Sequence, residues 1–149
     1  MKEYSQLVSQ KVVLAALQEL EPNHYRLDFI TEDSLPLKMS IDMGDMLITE
    51  NAVAFVREAM LQETRLRRQA AEDVFSRNDL MMRELEYTTA NDLHRALEPE
   101  EMCLFWERQS CVFIYVSPLD DLELYDYKHF IRVDMKRGTS EVEISLEQD

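Results

Sequence analysis

Carboxylates are the side chains in this sequence whose number and spacing bear most on chemistry. The stretch Leu119-Asp120-Asp121-Leu122-Glu123-Leu124-Tyr125-Asp126 holds four of them: Asp120, Asp121, Glu123 and Asp126. Oxygen ligands this dense suit calcium or magnesium, but an EF-hand loop also needs a glycine at its sharp turn and a distal bidentate Glu. That glycine is missing. The run reads as a solvated acidic loop or helix start, and no metal site is expected.

Two further acidic groups accompany it. Glu98, Glu100 and Glu101 precede one strand, and Glu141, Glu143 and Glu147 share the outer face of the last one. Neighbours at i and i+2 along a strand stand roughly 6.5–7 Å apart. A row of carboxylates at that spacing imitates a line of phosphates and suits the cationic groove of a nucleic-acid-binding protein, where phosphate contacts dominate affinity. The plainer reading is that outward glutamates on a terminal strand block edge-to-edge aggregation.

Other chemistries lack their residues. His129 follows Asp126 by three positions, so one helical turn would make them a base and its orienter, beside Tyr125 and Tyr127. The plainer reading is a surface pair near a strand start. His24, His94 and His129 share no short spacing and give no zinc motif. The two glycines, Gly44 and Gly138, lie far apart, whereas a phosphate cradle needs several together. No serine or cysteine sits in a nucleophile elbow. No catalytic, cofactor-binding or metal residues are therefore assigned.

Cys103 and Cys111 are the two cysteines. In a hairpin turning at Arg108 to Ser110, Cys111 faces Glu107 and Cys103 faces Tyr115. The sulfurs then lie four residues apart, roughly 13 Å at ~3.3 Å per residue. A disulfide needs Cα atoms within about 7 Å. Two buried, reduced thiols are expected, as in cytosolic chains.

The elements that position these groups follow from hydrophobic period. An amphipathic helix is expected from Lys2 to Leu20, with Leu7, Val8, Leu14, Ala15 and Leu17 on its apolar side and Pro22 as its stop. Residues His24 to Phe29 and Leu37 to Met43 alternate with period two and predict an antiparallel hairpin. A short strand over Met46 to Ile48 follows. Thr49 is placed to cap a long helix from Glu50 to Phe75, with Ala52, Val53, Val56, Ala59, Met60, Leu66, Ala70 and Val74 as its core stripe. Shorter helices are expected over Leu80 to Tyr87 and Ala90 to Leu97, the latter opened by Thr89 and Asp92 at capping-box spacing. Cys103 to Trp106 and Val112 to Val116 read as strands. Phe130 to Met135 and Ser140 to Leu146 form the clearest hairpin, turning at Lys136 to Thr139. No internal repeat is visible.

Composition bounds the rest. The chain has 149 residues, is 46% hydrophobic, and carries 30 Asp plus Glu against 16 Lys plus Arg for a net charge of −14. The excess is uneven: −5 over residues 1–50, −1 over 51–97 and −8 over 98–149. Such a surface repels nucleic acid and anionic membranes and attracts cationic partners within about 8–10 Å. Arg65, Arg67 and Arg68 are expected to pair with Glu63, Glu72 or an acidic loop. Of the nine methionines, Met39 and Met43 are expected in the core. The longest early apolar run, Val12 to Leu17, is shorter than a signal-peptide core of roughly 7–15 residues. No run reaches the ~18–20 residues of a membrane span.

The sequence thus predicts a single acidic α+β domain over residues 1–149. Its antiparallel sheet is built from N-terminal and C-terminal hairpins, packed on a central long helix and shorter helices. The expected function is non-enzymatic: a cytoplasmic inhibitor or immunity-type protein, without cofactor, whose acidic surface blocks a basic, nucleic-acid-handling protein partner. It would touch neither nucleic acid nor membrane directly. One alternative is a cytosolic chaperone, a homodimer offering hydrophobic grooves to an exported or unfolded client. A second is an enzyme centred on His129 and Asp126.

Overall fold

Period-two runs become strands and hydroxyl caps start helices in the computed structural model of the chain, which describes residues 1–116, 129–139 and 141–148. In chain order these are β1 (Lys2–Glu3), α1 (Gln10–Ala16), β2 (Gln18–Glu21), β3 (His24–Ile30), β4 (Pro36–Asp42) and α2 (Glu50–Arg77). There follow α3 (Asp79–Glu84), α4 (Ala90–Ala96), β5 (Glu98–Phe105), β6 (Ser110–Val116), β7 (His129–Lys136) and β8 (Val142–Gln148). The fold is α+β, and a single mixed sheet carries all eight of these strands in the order β1-β3-β4-β5-β6-β7-β8, with β2 also on β3.

The sheet is not wholly antiparallel. The strands β2-β3-β4 and β5-β6-β7-β8 run antiparallel to their neighbours, but β1 pairs with β3 in parallel, and β4 and β5 lie side by side in parallel, with Met39 opposite Met102 and Ile41 opposite Leu104. The connection between them passes through α2, α3 and α4. A helical crossover returns the chain to the same end of the sheet, so the next strand enters in the same direction.

The first twenty residues depart most from expectation. Only Gln10–Ala16 are α-helical, capped by Ser9, whose Oγ accepts from the Val12 N–H at 3.3 Å. Leu7 and Val13 are buried, while Val8, Leu14 and Ala15 are exposed. Leu17 takes an extended conformation and leads into β2. Both β1 and β2 line the far edge of β3, whose main-chain groups would otherwise lack partners. Met46 to Ile48 form no strand.

A repeat does exist in the architecture. Thr89 Oγ1 accepts from the Asp92 N–H at 3.1 Å, Asp92 accepts from the Thr89 N–H, and α4 runs seven residues to the extended Leu97. Ser9, α1 and Leu17 trace the same course. Each short helix packs on α2 and feeds an antiparallel meander: β2-β3-β4 after the first, β5-β6-β7 after the second. From cap to closing residue only the hydroxyl caps, Ala16 with Ala96 and the two leucines match in sequence, too little to see beforehand.

Helix α2 is capped as expected by Thr49, whose Oγ1 accepts from the Ala52 N–H at 3.2 Å. Its predicted stripe is buried, joined by Phe55, Ala71 and two charged residues, Glu63 and Arg67. The Arg67 guanidinium is 2% exposed and bonds Glu63 (3.1 and 3.0 Å) one turn back and Asp33 (2.6 Å) in the β3–β4 turn. Tyr115 of β6 donates to Glu63 Oε2 at 2.9 Å. Burial alone would favour a neutral arginine; the two carboxylates reverse this and hold it charged. This satisfied network locks α2 onto the inner side of the sheet.

Candidate binding face

With α2 on the inner side, residues on most strands alternate between a buried and a more exposed face, although Ser110 and Val112 of β6 are buried on the outer side as well. Leu37, Met39, Ile41, Met102, Leu104, Phe113, Tyr115, Ile131 and Val133 point under the helices and are buried. The other face lies open among the described residues. There the registers place Glu98, Val116, Phe130 and Glu147 in one row across β5, β6, β7 and β8. A second row holds Glu101, Ile114, Arg132 and Ser145.

A bulge makes this acidic rim. In a regular strand Glu98 and Glu100 would share the inward side of Met102. Between Pro99 and Glu101 the register shifts, so Glu98 sits opposite Val116 while Glu101 sits opposite Ile114. The extra residue, Glu100, is exposed with them. A bulge sets two residues against one and re-aims the side chains beyond it. Three carboxylates within four residues thus reach the open side.

Between them runs a groove of about 560 Å³, lined by Glu100, Glu101, Ile114, Val116, Phe130, Arg132 and Glu147. Its floor is apolar and half-buried, and its walls are mainly anionic. Arg132 is already engaged, through Nε and Nη2 with Asp134 at 3.0 and 3.4 Å. The Cys103 thiol beside Glu101 donates to its Oε1 at 3.2 Å. Burial first, then that carboxylate, push the thiol up to about 12, so it stays protonated and unreactive near neutral pH.

The predicted acidic residues fare unequally. Glu100, Glu101 and Glu147 meet in the groove, and Glu98 extends its rim. Glu143 lies on the same face but further along, opposite Asp134. Glu141 is exposed just ahead of β8. Asp120, Asp121, Glu123 and Asp126 fall outside the described residues, as do Tyr125 and Tyr127. Sequence reasoning missed the floor. Its signal was the unbroken apolar run Val112 to Val116, since a strand apolar on both faces implies a contact on each.

The residues weighed for other chemistry are placed differently from expectation. His129 is 3% exposed rather than at the surface, beside an apolar cavity of about 20 Å³, room for about one water. The β5–β6 turn spans residues 106–109, so Cys103 faces Val112 and Cys111 faces Leu104. The register differs by an odd number from that expected, which moves the two thiols to opposite faces. Both are free. Met39 and Met43 lie in the core as expected. Among the described residues no group of three or more His, Cys, Asp or Glu is placed to hold a metal ion, and no helix is long and apolar enough to cross a membrane.

No family model matches this chain, and neither a curated protein nor a solved structure is significantly similar to it.

Proposed function

We propose that this protein is a non-enzymatic binding factor that engages a basic protein through the open face of its sheet, as an inhibitor or immunity-type protein would. The observation that carries this reading is the bulge at Glu100, which gathers Glu98, Glu100 and Glu101 beside the apolar Ile114, Val116 and Phe130. An apolar floor supplies affinity, and an anionic rim steers a cationic partner and rejects others. The carboxylate rows also fit a surface that normally receives phosphates. Two free thiols agree with a reducing, cytoplasmic setting.

The half-exposed floor also supports a second reading, a chaperone that holds an apolar segment of a client. Salt separates the two, because exposed charges are screened while apolar contacts are not. The tagged protein and its Glu98→Lys/Glu101→Lys/Glu147→Lys variant would each be used to capture partners from native lysate, with elution by rising salt. A basic partner that leaves at moderate salt and is lost with the variant supports the acidic-face reading. A client held through about 1 M salt by both proteins points to the chaperone.

A further inference from the structure

Strand β8 is an edge strand. It pairs with β7 from Val142 to Gln148, and among the described residues no strand pairs with its other side. Seven residues of open edge in a soluble protein are normally covered or blunted. Here the C-terminal part of α2 overhangs the edge and leaves a groove of about 530 Å³, lined by Gln69, Glu72, Asp73, Ser76, Arg77, Val142 and Ile144. Within it Arg77 pairs with Asp73 and donates through Nη2 to the Ile144 carbonyl at 3.0 Å. A helix side chain thus serves a main-chain acceptor of the last strand.

We propose that this edge accepts an extended basic segment of another protein as an added strand. In that arrangement the Arg77 guanidinium holds the place that the incoming main-chain N–H would take. Strand addition draws affinity from main-chain bonds and specificity from alternate side chains. On the helix side the incoming residues would meet Val142 and Ile144, which calls for apolar side chains. On the open side they would meet Glu143 and Glu147, which calls for lysine or arginine. The occupant is therefore an alternating apolar–cationic strand.

A second copy of this chain is a poor occupant. Antiparallel self-pairing about Ser145 sets Glu143 opposite Glu147 twice, and pairing about Ile144 sets Glu141 opposite Glu147. Like charges directly opposed destabilise a strand pair. The proposal goes beyond the open-face groove and shares only Glu147 with it.

The test uses the full chain and a labelled peptide, Lys-Val-Lys-Val-Lys-Val-Lys, read by fluorescence anisotropy and by amide exchange resolved to single residues. The expected result is saturable binding, with exchange in β8 slowed at least about tenfold. A peptide with proline at its central position should lose binding, since it lacks the N–H. Glu72→Lys/Glu143→Lys should weaken binding at least about tenfold, both side chains being exposed and removed from the core. Glu98→Lys/Glu101→Lys should leave β8 protection intact, which keeps this proposal separate from the open-face one. Binding without slower exchange in β8, undiminished binding of the proline peptide, or a β8-paired dimer that excludes the peptide would each overturn it.

Discussion

Arg67 Nη2 lies 2.6 Å from Asp33 Oδ1, tying the middle of α2 to the β3–β4 turn across 34 positions of sequence. The same guanidinium holds Glu63, which is fully buried and also receives the Tyr115 hydroxyl. Removing one member strands another in a medium that cannot solvate it. Arg67→Met should therefore cost about 3–5 kcal/mol, and replacing Glu63 and Arg67 together by apolar residues of similar size should recover much of that loss. Urea unfolding of the two variants measures it; a double variant no more stable than Arg67→Met would contradict the account.

The same contact sets a pH dependence. Burial pushes the Asp33 carboxyl up, but bonds from Arg67 and Thr31 outweigh it and hold the group below its ordinary 3.8. A depressed folded value means that the contribution is complete well above pH 3.8 and is lost as pH falls through the folded value. Asp28, lowered by its bond to Arg26, acts in the same direction. Thermal melts of wild type and Asp33→Asn from pH 7 downward should differ at neutral pH and converge in acid. A gap that widened below pH 3.8 would refute this.

The thiols should be silent in the native state. Cys111 is pushed well above its ordinary 9.0 by burial, and Cys103 to about 12. Neither should react with a thiol reagent at pH 8, and both should react in urea. An intramolecular disulfide formed under mild oxidation, without unfolding, would mean that the two do not lie on opposite faces.

Caps and one turn offer independent checks on stability. Thr49→Ala and Thr89→Ala should each cost about 1 kcal/mol by leaving a main-chain N–H without its oxygen. Gly44 has φ +64°, and a Cβ there would run into the Glu107 side chain. Gly44→Ala should cost about 1–2 kcal/mol. Denaturant midpoints for the three variants decide the matter, and an unchanged midpoint for Thr49→Ala would show that the α2 cap contributes nothing.

Local signals in the sequence were readable where the structure obeys them locally. The β3–β4 hairpin, the Thr49 cap and the α2 stripe follow from alternation, capping chemistry and helical spacing. Tertiary competition hid the rest. The first twenty residues have helical spacing, yet the open edge of β3 draws the two ends of that stretch into β1 and β2 and leaves α1 only seven residues. The parallel join of β4 and β5 depends on the path through α2, which no local pattern encodes. Of the site, the carboxylates were visible as residue types. Their gathering was not, because a bulge at Glu100 turns Glu98 to the opposite side from that which simple alternation gives it.

The join between β4 and β5 also bears on how the chain reaches this shape. Met39 and Met102 meet only after the whole helical segment between them has been closed into a loop, an entropic cost met before the pairing gains anything. The hairpins on either side need no such closure and can form early. Until the join is made, β4 and β5 each present an unpaired edge beside Leu37, Ile41 and Leu104, which are buried in the finished sheet. That interval is when the chain is most open to association with the wrong strand, and a net charge of −14 opposes the approach of a second copy during it.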